Sequence, residues 1–261
     1  MPDLMLVFGF AGADKCRKGH SPHERLPMQS RMLFLSAAVV CVLFATGVSG
    51  TEGARAQQAS GAPSRTIAHD FLELEKDFGS TASHSAYVDS LLGKAAARIT
   101  ARAEYSSEEA VAVLKGIDSL LRDEGFHFKN NYLLGRGIAS REIDCDNYSA
   151  LYVAIAERVK LPLVPVYAPD HSFVRFLFPD GTYLNWEPIK GISIPDKYYI
   201  QQLKIPQSCV RSGVYMKNLS RREFFGVQYN NIGSFLLTAK KYSDAVPYFT
   251  MAITLYPKFS S

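Results

Sequence analysis

The sequence has few cysteines, no block of like charges and no low-complexity composition. Four cysteines in 261 residues are too few for a disulfide scaffold, and their spacing matches no zinc motif. Eighteen glycines and 13 prolines without a period exclude a collagen-like chain. The 29 basic and 25 acidic residues are dispersed and leave a net charge of +4, which does not predict a nucleic-acid partner. A content of 47% hydrophobic and 21% charged residues is typical of a globular protein with a packed core.

An apolar run near the N-terminus predicts export. Met32–Val48 follows Arg31 and precedes a small-residue stretch that ends at Ala54-Arg55-Ala56. This order is typical of a secretory signal peptide, so we expect cleavage near Ala56 and a periplasmic or cell-envelope location. If the run is not cleaved, it anchors the chain in a membrane, which is the only membrane contact that we predict. The N-terminal part therefore divides into a leader, residues 1–56, and a linker, residues 57–65.

The next 140 residues change from helical to strand patterns. Apolar residues recur at helical spacing over 88–99 and 111–121, and Ser106 and Glu109 form a capping box before the second segment. From Pro162 onwards, three short β-branched and aromatic stretches follow, with a turn at Pro179-Asp180-Gly181. Helices followed by an antiparallel strand meander predict an α+β domain over residues 66–205, then a helical connector over 206–225. The strand aromatics are expected in the core: Phe173, Phe176, Phe178 and Trp186.

Cys145 begins a predicted helix whose apolar stripe includes Leu151, Ile155 and Val159. A cysteine at a helix N-terminus has its thiolate stabilised by the helix dipole and by free backbone N–H groups, so it is a potential nucleophile. The alternative is an inert cysteine that packs as a small hydrophobic residue. A disulfide with Cys209 would also silence it.

A histidine and two potential partners follow Cys145 in the strand region. His171 begins the second strand, and Asn185 and Glu187 lie in the third. Nucleophile, base and orienting group are the parts of a cysteine triad, although this chain order can arise by chance and a strand histidine can be purely structural. The nearby arginines are expected to be solvated: Arg136, Arg141 and Arg175.

The same segments resemble a known family. D-C-D-N-Y-S-A-L-Y-V-A-I-A-E-R-V-K-L-P is similar to the nucleophile helix of the bacterial transglutaminase-like superfamily, H-S-F-V-R-F to its histidine strand and N-W-E-P to its third strand. The resemblance implies a papain-like cysteine enzyme in which Cys145 is the nucleophile, His171 the base and Glu187 the orienter. The family usually has aspartate at the third position, so Glu187 departs from the pattern.

The segment 226–261 resembles a single tetratricopeptide repeat. The residues that carry this resemblance are Tyr229, Ile232, Gly233, Leu236, Ala245, Phe249, Ala252 and Pro257. One repeat cannot bury its own apolar face, so we expect its two helices to dock on the preceding domain. A second capping box, Ser220 to Glu223, predicts that the preceding link is already helical.

The hairpin loop decides which residue orients His171. A three-residue loop, Pro179-Asp180-Gly181, pairs Phe178 with Thr182 and places Glu187 opposite Phe173, diagonal to His171. A two-residue loop would put Asn185 and Glu187 on the wrong face. The turn residues favour the longer loop, which predicts Glu187 as orienter with Asn185 as support.

The primary hypothesis is therefore an exported cysteine enzyme that cleaves or transfers amide-linked acyl groups of a peptide or protein substrate. No metal or organic cofactor is implied. The alternative is a catalytically silent module in which the repeat helices bind a protein partner.

Overall fold

The structure is a computed structural model and describes residues 65–259. The helices are α1 (Ile67–Leu74), α2 (Ala82–Arg98), α3 (Ser107–Asp123), α4 (Leu134–Ser140), α5 (Cys145–Val159), α6 (Asp196–Gln202), α7 (Gln207–Arg211), α8 (Arg221–Thr238) and α9 (Tyr242–Leu255). The strands are β1 (His127–Phe128), β2 (Glu142–Ile143), β3 (Leu163–Ala168), β4 (His171–Leu177), β5 (Tyr183–Glu187) and β6 (Ile192–Ser193). The mixture of helices and a small antiparallel sheet confirms the α+β class.

The predicted leader and nearly all of the predicted linker lie outside the described residues. The predictions of a signal peptide, its cleavage site and export therefore stay predictions. Within residues 65–259, no helix combines the length and the apolar character that a membrane span requires.

Both predicted capping boxes are present at the starts of long helices. The Ser106 hydroxyl accepts a hydrogen bond from the Glu109 N–H at 3.2 Å, and the Glu109 carboxylate accepts one from the Ser106 N–H at 2.9 Å. Ser220 and Glu223 form the same reciprocal pair at the start of α8. Each box satisfies backbone donors that a helix N-terminus leaves without intrahelical partners, which is why the two helices begin where the sequence predicts.

The main sheet is an antiparallel meander with the strand order β3-β4-β5-β6. Helix α5 covers one face of it, and the Trp186 indole N–H donates to the Tyr152 hydroxyl of α5 at 3.0 Å. Phe173, Phe176 and Trp186 are fully buried and Phe178 packs against the core, as expected for strand aromatics. The short parallel pair β1-β2 joins the segments before α4 and before α5 and was not predicted.

The β4–β5 hairpin has the register of the three-residue loop. The Phe178 N–H donates to the Thr182 carbonyl at 2.9 Å, and Gly181 closes the loop with a φ of 82°. Val174 pairs with Trp186, so Glu187 continues the ladder opposite Phe173. The register prediction is confirmed, and it fixes the faces on which the candidate site residues lie.

Helices α8 and α9 form an antiparallel hairpin that packs on the rest of the chain. Gly233 brings the two helices close together, because a Cβ at this position would lie 2.7 Å from a ring carbon of Phe249. The hairpin contacts α1 through Phe71 and Phe224, whose ring centroids are 5.2 Å apart. These contacts agree with the predicted docking. Helix α8 begins at Arg221, five residues before the predicted start of the repeat.

Candidate active site

Cys145 is the first residue of α5. Asp144 caps the helix, and its Oδ1 accepts a hydrogen bond from the Asn147 N–H at 2.9 Å. The backbone N–H of Ser172, the residue after His171, donates a hydrogen bond to the Cys145 thiol group. Because this N–H belongs to the start of β4, helix α5 and strand β4 meet at the Cys145 sulfur.

The electrostatics around the thiol differ from the expectation based on the helix N-terminus alone. Cys145 as a residue is partly exposed, yet desolvation of the thiol raises its pKa well above the usual value. The neighbouring carboxylates of Asp146 and Asp144 raise the pKa further, and Glu187 adds to the effect. The Ser172 N–H opposes this shift but is outweighed. The expected stabilisation of the resting thiolate is therefore wrong, because the helix dipole faces a site with several acidic groups.

His171 and Glu187 form a buried pair across the sheet. The His171 Nε2 and the Glu187 Oε2 are 2.7 Å apart, and the two residues are only 1% and 3% exposed. The confirmed register produces this contact, since residues diagonal to each other on neighbouring strands are within reach of a long side chain. The sequence prediction that Glu187 orients His171 has the geometry that it requires.

Two further groups hold the Glu187 carboxylate. The hydroxyl of Tyr199 on α6 donates to the same Oε2 at 3.0 Å, and the Ile189 N–H donates to Oε1 at 3.2 Å. The Tyr199 ring also stacks on Phe173 at a centroid distance of 4.1 Å, which fixes its hydroxyl. Sequence reasoning missed Tyr199, because no spacing rule relates a helix residue to a strand carboxylate 12 positions earlier.

Asn185 belongs to a neighbouring network on the same face of the sheet. Its Oδ1 accepts a hydrogen bond from the Arg175 Nε at 2.8 Å, and its Nδ2 donates to Asp196 at 2.6 Å. Arg175 also donates to Asp196 and Asn218, and its guanidinium stacks over the Tyr183 ring. At 4% exposure, Arg175 is buried, so the expectation that it is solvated is wrong. The carboxylate and amide partners compensate the cost of burying its charge.

A second group of acidic residues lies next to the nucleophile. Asp146 accepts a hydrogen bond from the Ser172 hydroxyl and one from the side chain of Asn231 on α8. Burial raises the pKa of Asp146 despite these bonds, and burial together with the Asp146 charge raises the pKa of Asp144. This arrangement of Asp146, Ser172 and Asn231 was not predicted.

Glu75 extends the acidic group towards α4. It accepts hydrogen bonds from the Leu134 and Gly135 N–H groups at 2.9 and 2.8 Å, and it is also bonded to Gln228 of α8. Its burial raises the pKa to about 7. The Glu75 carboxyl group thereby links the N-terminus of α4 to helix α8.

The remaining candidate chemistry is limited. Cys145 is a free thiol, so the disulfide with Cys209 that would silence it is not formed. Among residues 65–259, no group of three or more metal-ligating side chains has the arrangement of a metal site.

Comparisons of the chain with family models, with curated proteins and with solved structures gave no significant match.

Proposed function

We propose that this chain is a cysteine-dependent amide hydrolase with a transglutaminase-like core. Cys145 would be the nucleophile, His171 the base and Glu187 the orienter. The observation that carries the proposal is the buried His171–Glu187 pair at the start of β4, whose next backbone N–H donates to the Cys145 thiol group. Acyl transfer through cysteine requires a nucleophile, a base and an orienting group. The three candidate residues lie where the N-terminus of a helix meets two strands.

In this proposal each ring nitrogen of His171 has its own role. Because Nε2 contacts Glu187, Nδ1 would exchange the proton with Cys145. The thiol proton would move to Nδ1 as the sulfur attacks the amide carbonyl. His171 would then protonate the amine as the carbon–nitrogen bond breaks and a thioester forms. Water, activated by His171, would hydrolyse the thioester and restore the thiol.

The neutral resting thiol fits this sequence of proton transfers. In the proposed mechanism the thiol proton leaves in the substrate complex, where the backbone N–H of Cys145 would donate to the developing oxyanion. Hydrolysis is proposed over transfer to a second amine, and the substrate is proposed to be a peptide or protein amide. Helices α8 and α9 are proposed to be a tetratricopeptide-like repeat that has become part of this domain.

The proposal is tested with a library of blocked peptides that contains both backbone and glutamine side-chain amides. Wild-type protein should release new amines or ammonia, and acid-quenched samples should show an acyl adduct on the peptide that contains Cys145. Cys145→Ser should lose both signals. Asn185→Ala, a change on the same sheet face outside the triad, should retain them. Hydrolysis that persists in Cys145→Ser would contradict the proposal.

A specific surface supports the second candidate function, a binding module. Tyr242, Val246 and Ile253 of α9 are 61%, 61% and 58% exposed. A groove of about 920 Å³ also lies between α1 and the hairpin and is lined in part by Asp70, Leu74, Phe225, Tyr229 and Tyr248. An apolar groove with acidic residues at its rim is a surface on which a peptide could dock. Absence of Cys145-dependent hydrolysis, together with specific retention of a peptide from the same library, would favour this function.

A further inference from the structure

Helix α8 reaches the candidate active site with a buried amide side chain. Asn231 is hydrogen bonded to Asp146, the residue that directly follows Cys145, and its Nδ2 also donates to the Gln228 Oε1 at 3.3 Å. Gln228 in turn is bonded to Glu75. Both side-chain amides are buried, so their hydrogen bonds link the α8–α9 hairpin to the interior of the domain and are shielded from water.

Asp146 lies at the centre of the contacts that set the position of β4 relative to α5. Its Oδ1 holds the Ser172 hydroxyl, and the backbone N–H of the same serine donates to the Cys145 thiol group. Ser172 is fully buried and directly follows His171. A shift of Ser172 would therefore move the base relative to the nucleophile, and a displacement of about 1 Å can reduce catalysis by two orders of magnitude.

We infer that Asp146 is a positioning residue for Cys145 and His171 and that Asn231 acts through it, which makes the docked hairpin part of the active site. The inference rests on the proposed function in one respect, the role of Cys145 as nucleophile. It adds to that function a requirement for α8, which lies outside the segments that resemble the transglutaminase-like core.

The charged groups near the thiol determine the electrostatic effect of changing Asp146. Asp146 belongs to α5 and Asp144 caps it, Glu187 belongs to β5, His171 to β4, and Glu75 directly follows α1. Tyr167 of β3 and Asp170 of the β3–β4 turn also face this group. Removing the Asp146 charge lowers the repulsion of a thiolate, so alkylation of Cys145 should begin at lower pH.

The first measurement is peptide hydrolysis by four variants. Asp146→Ala should reduce kcat/KM at least tenfold, and Asp146→Asn should recover most of that loss because its amide oxygen can still accept from Ser172. Asn231→Ala should reduce kcat/KM about fivefold. Asn130→Ala is the matched control, since it makes the same substitution at an exposed position outside the site, and it should hydrolyse at the wild-type rate.

The second measurement needs no substrate. The pH–rate profile of Cys145 carbamidomethylation by iodoacetamide, followed by intact mass between pH 7 and 10, should lie about one pH unit lower in Asp146→Asn than in wild type. Asp123→Asn, the same change on the exposed end of α3, should not move the profile. This measurement separates the two proposals, because a shifted profile without hydrolysis in wild type counts against the proposed function alone.

Two outcomes would overturn the inference. One is an unmoved pH–rate profile of Cys145 alkylation in a folded Asp146→Asn variant. The other is wild-type hydrolysis in folded Asp146→Ala and Asn231→Ala variants, with folding checked by thermal unfolding. If Asp146→Ala does not fold, the test depends on the results for Asp146→Asn and Asn231→Ala.

Discussion

Glu187→Gln tests the orienting pair with little change in shape. A glutamine Oε1 at the position of Oε2 can still accept from both His171 and Tyr199, so the ring should keep its orientation. What disappears is the negative charge opposite the imidazolium that forms during catalysis. A hydrogen bond to a charged group contributes about 1.5–3 kcal/mol and a neutral one about 1 kcal/mol. The difference predicts a fall in kcat/KM of roughly twofold to thirtyfold.

The assay compares hydrolysis with thiol reactivity in the same samples. Glu187 raises the pKa of the Cys145 thiol, so its removal should leave alkylation by iodoacetamide at least as fast as in wild type. Falling hydrolysis with undiminished alkylation is the signature of a lost orienter. Asn185→Ala should have a smaller effect on hydrolysis, since its amide belongs to the Arg175 network. Wild-type kcat/KM in Glu187→Gln, with hydrolysis still dependent on Cys145, would refute the assignment.

Three further predictions concern groups around this pair and the packing of the hairpin. Tyr199→Phe removes one donor to the Glu187 carboxylate and should lower kcat/KM at least about tenfold, as expected for a hydrogen bond to a charged group of about 1.5–3 kcal/mol; an unchanged value would leave Tyr199 a packing role only. Gly233→Ala should destabilise the protein in urea by about 1–2 kcal/mol, because the clash outweighs the helical gain, whereas Gly116→Ala has no atom within 4 Å and should stabilise it by about 1 kcal/mol. Glu75, with a pKa raised to about 7, binds more protons when folded than when unfolded between pH 4.5 and about 7. Its contribution to stability therefore falls as pH rises through that window, by up to about 3 kcal/mol, and the fall should be absent in Glu75→Gln when urea unfolding is compared at pH 5 and pH 8.

The parts of the site that sequence could predict depend on local rules. A capping box fixes where α3 begins, and the turn chemistry of Pro179-Asp180-Gly181 fixes the register that brings Glu187 to His171. These rules act over a few residues, so one sequence is enough to apply them. The same locality explains why Cys145 could be placed at a helix N-terminus.

The parts that sequence could not predict depend on contacts between distant segments. Asn231 approaches Asp146 from 85 positions further along the chain, and Glu75 is bonded to a side chain 153 positions away. No period or spacing relates such pairs, because the docking of the hairpin on α1 creates them. The burial of Arg175 was missed for the same reason, since its partners Asp196 and Asn218 come from later loops and helices.

The raised pKa of the thiol results from opposing electrostatic and desolvation effects that can be compared only in the folded structure. The N-terminus of α5 favours a thiolate, as does the Ser172 N–H, but both act next to buried Asp144 and Asp146. A helix terminus contributes about half an elementary charge, and each ionised carboxylate a full one. Desolvation of the thiol, the largest cause, and the acidic groups together outweigh the helix terminus, so the site disfavours negative charge on the sulfur. The proposed mechanism agrees with this, because the thiol proton leaves only as the sulfur attacks and the developing charge passes to the carbonyl oxygen.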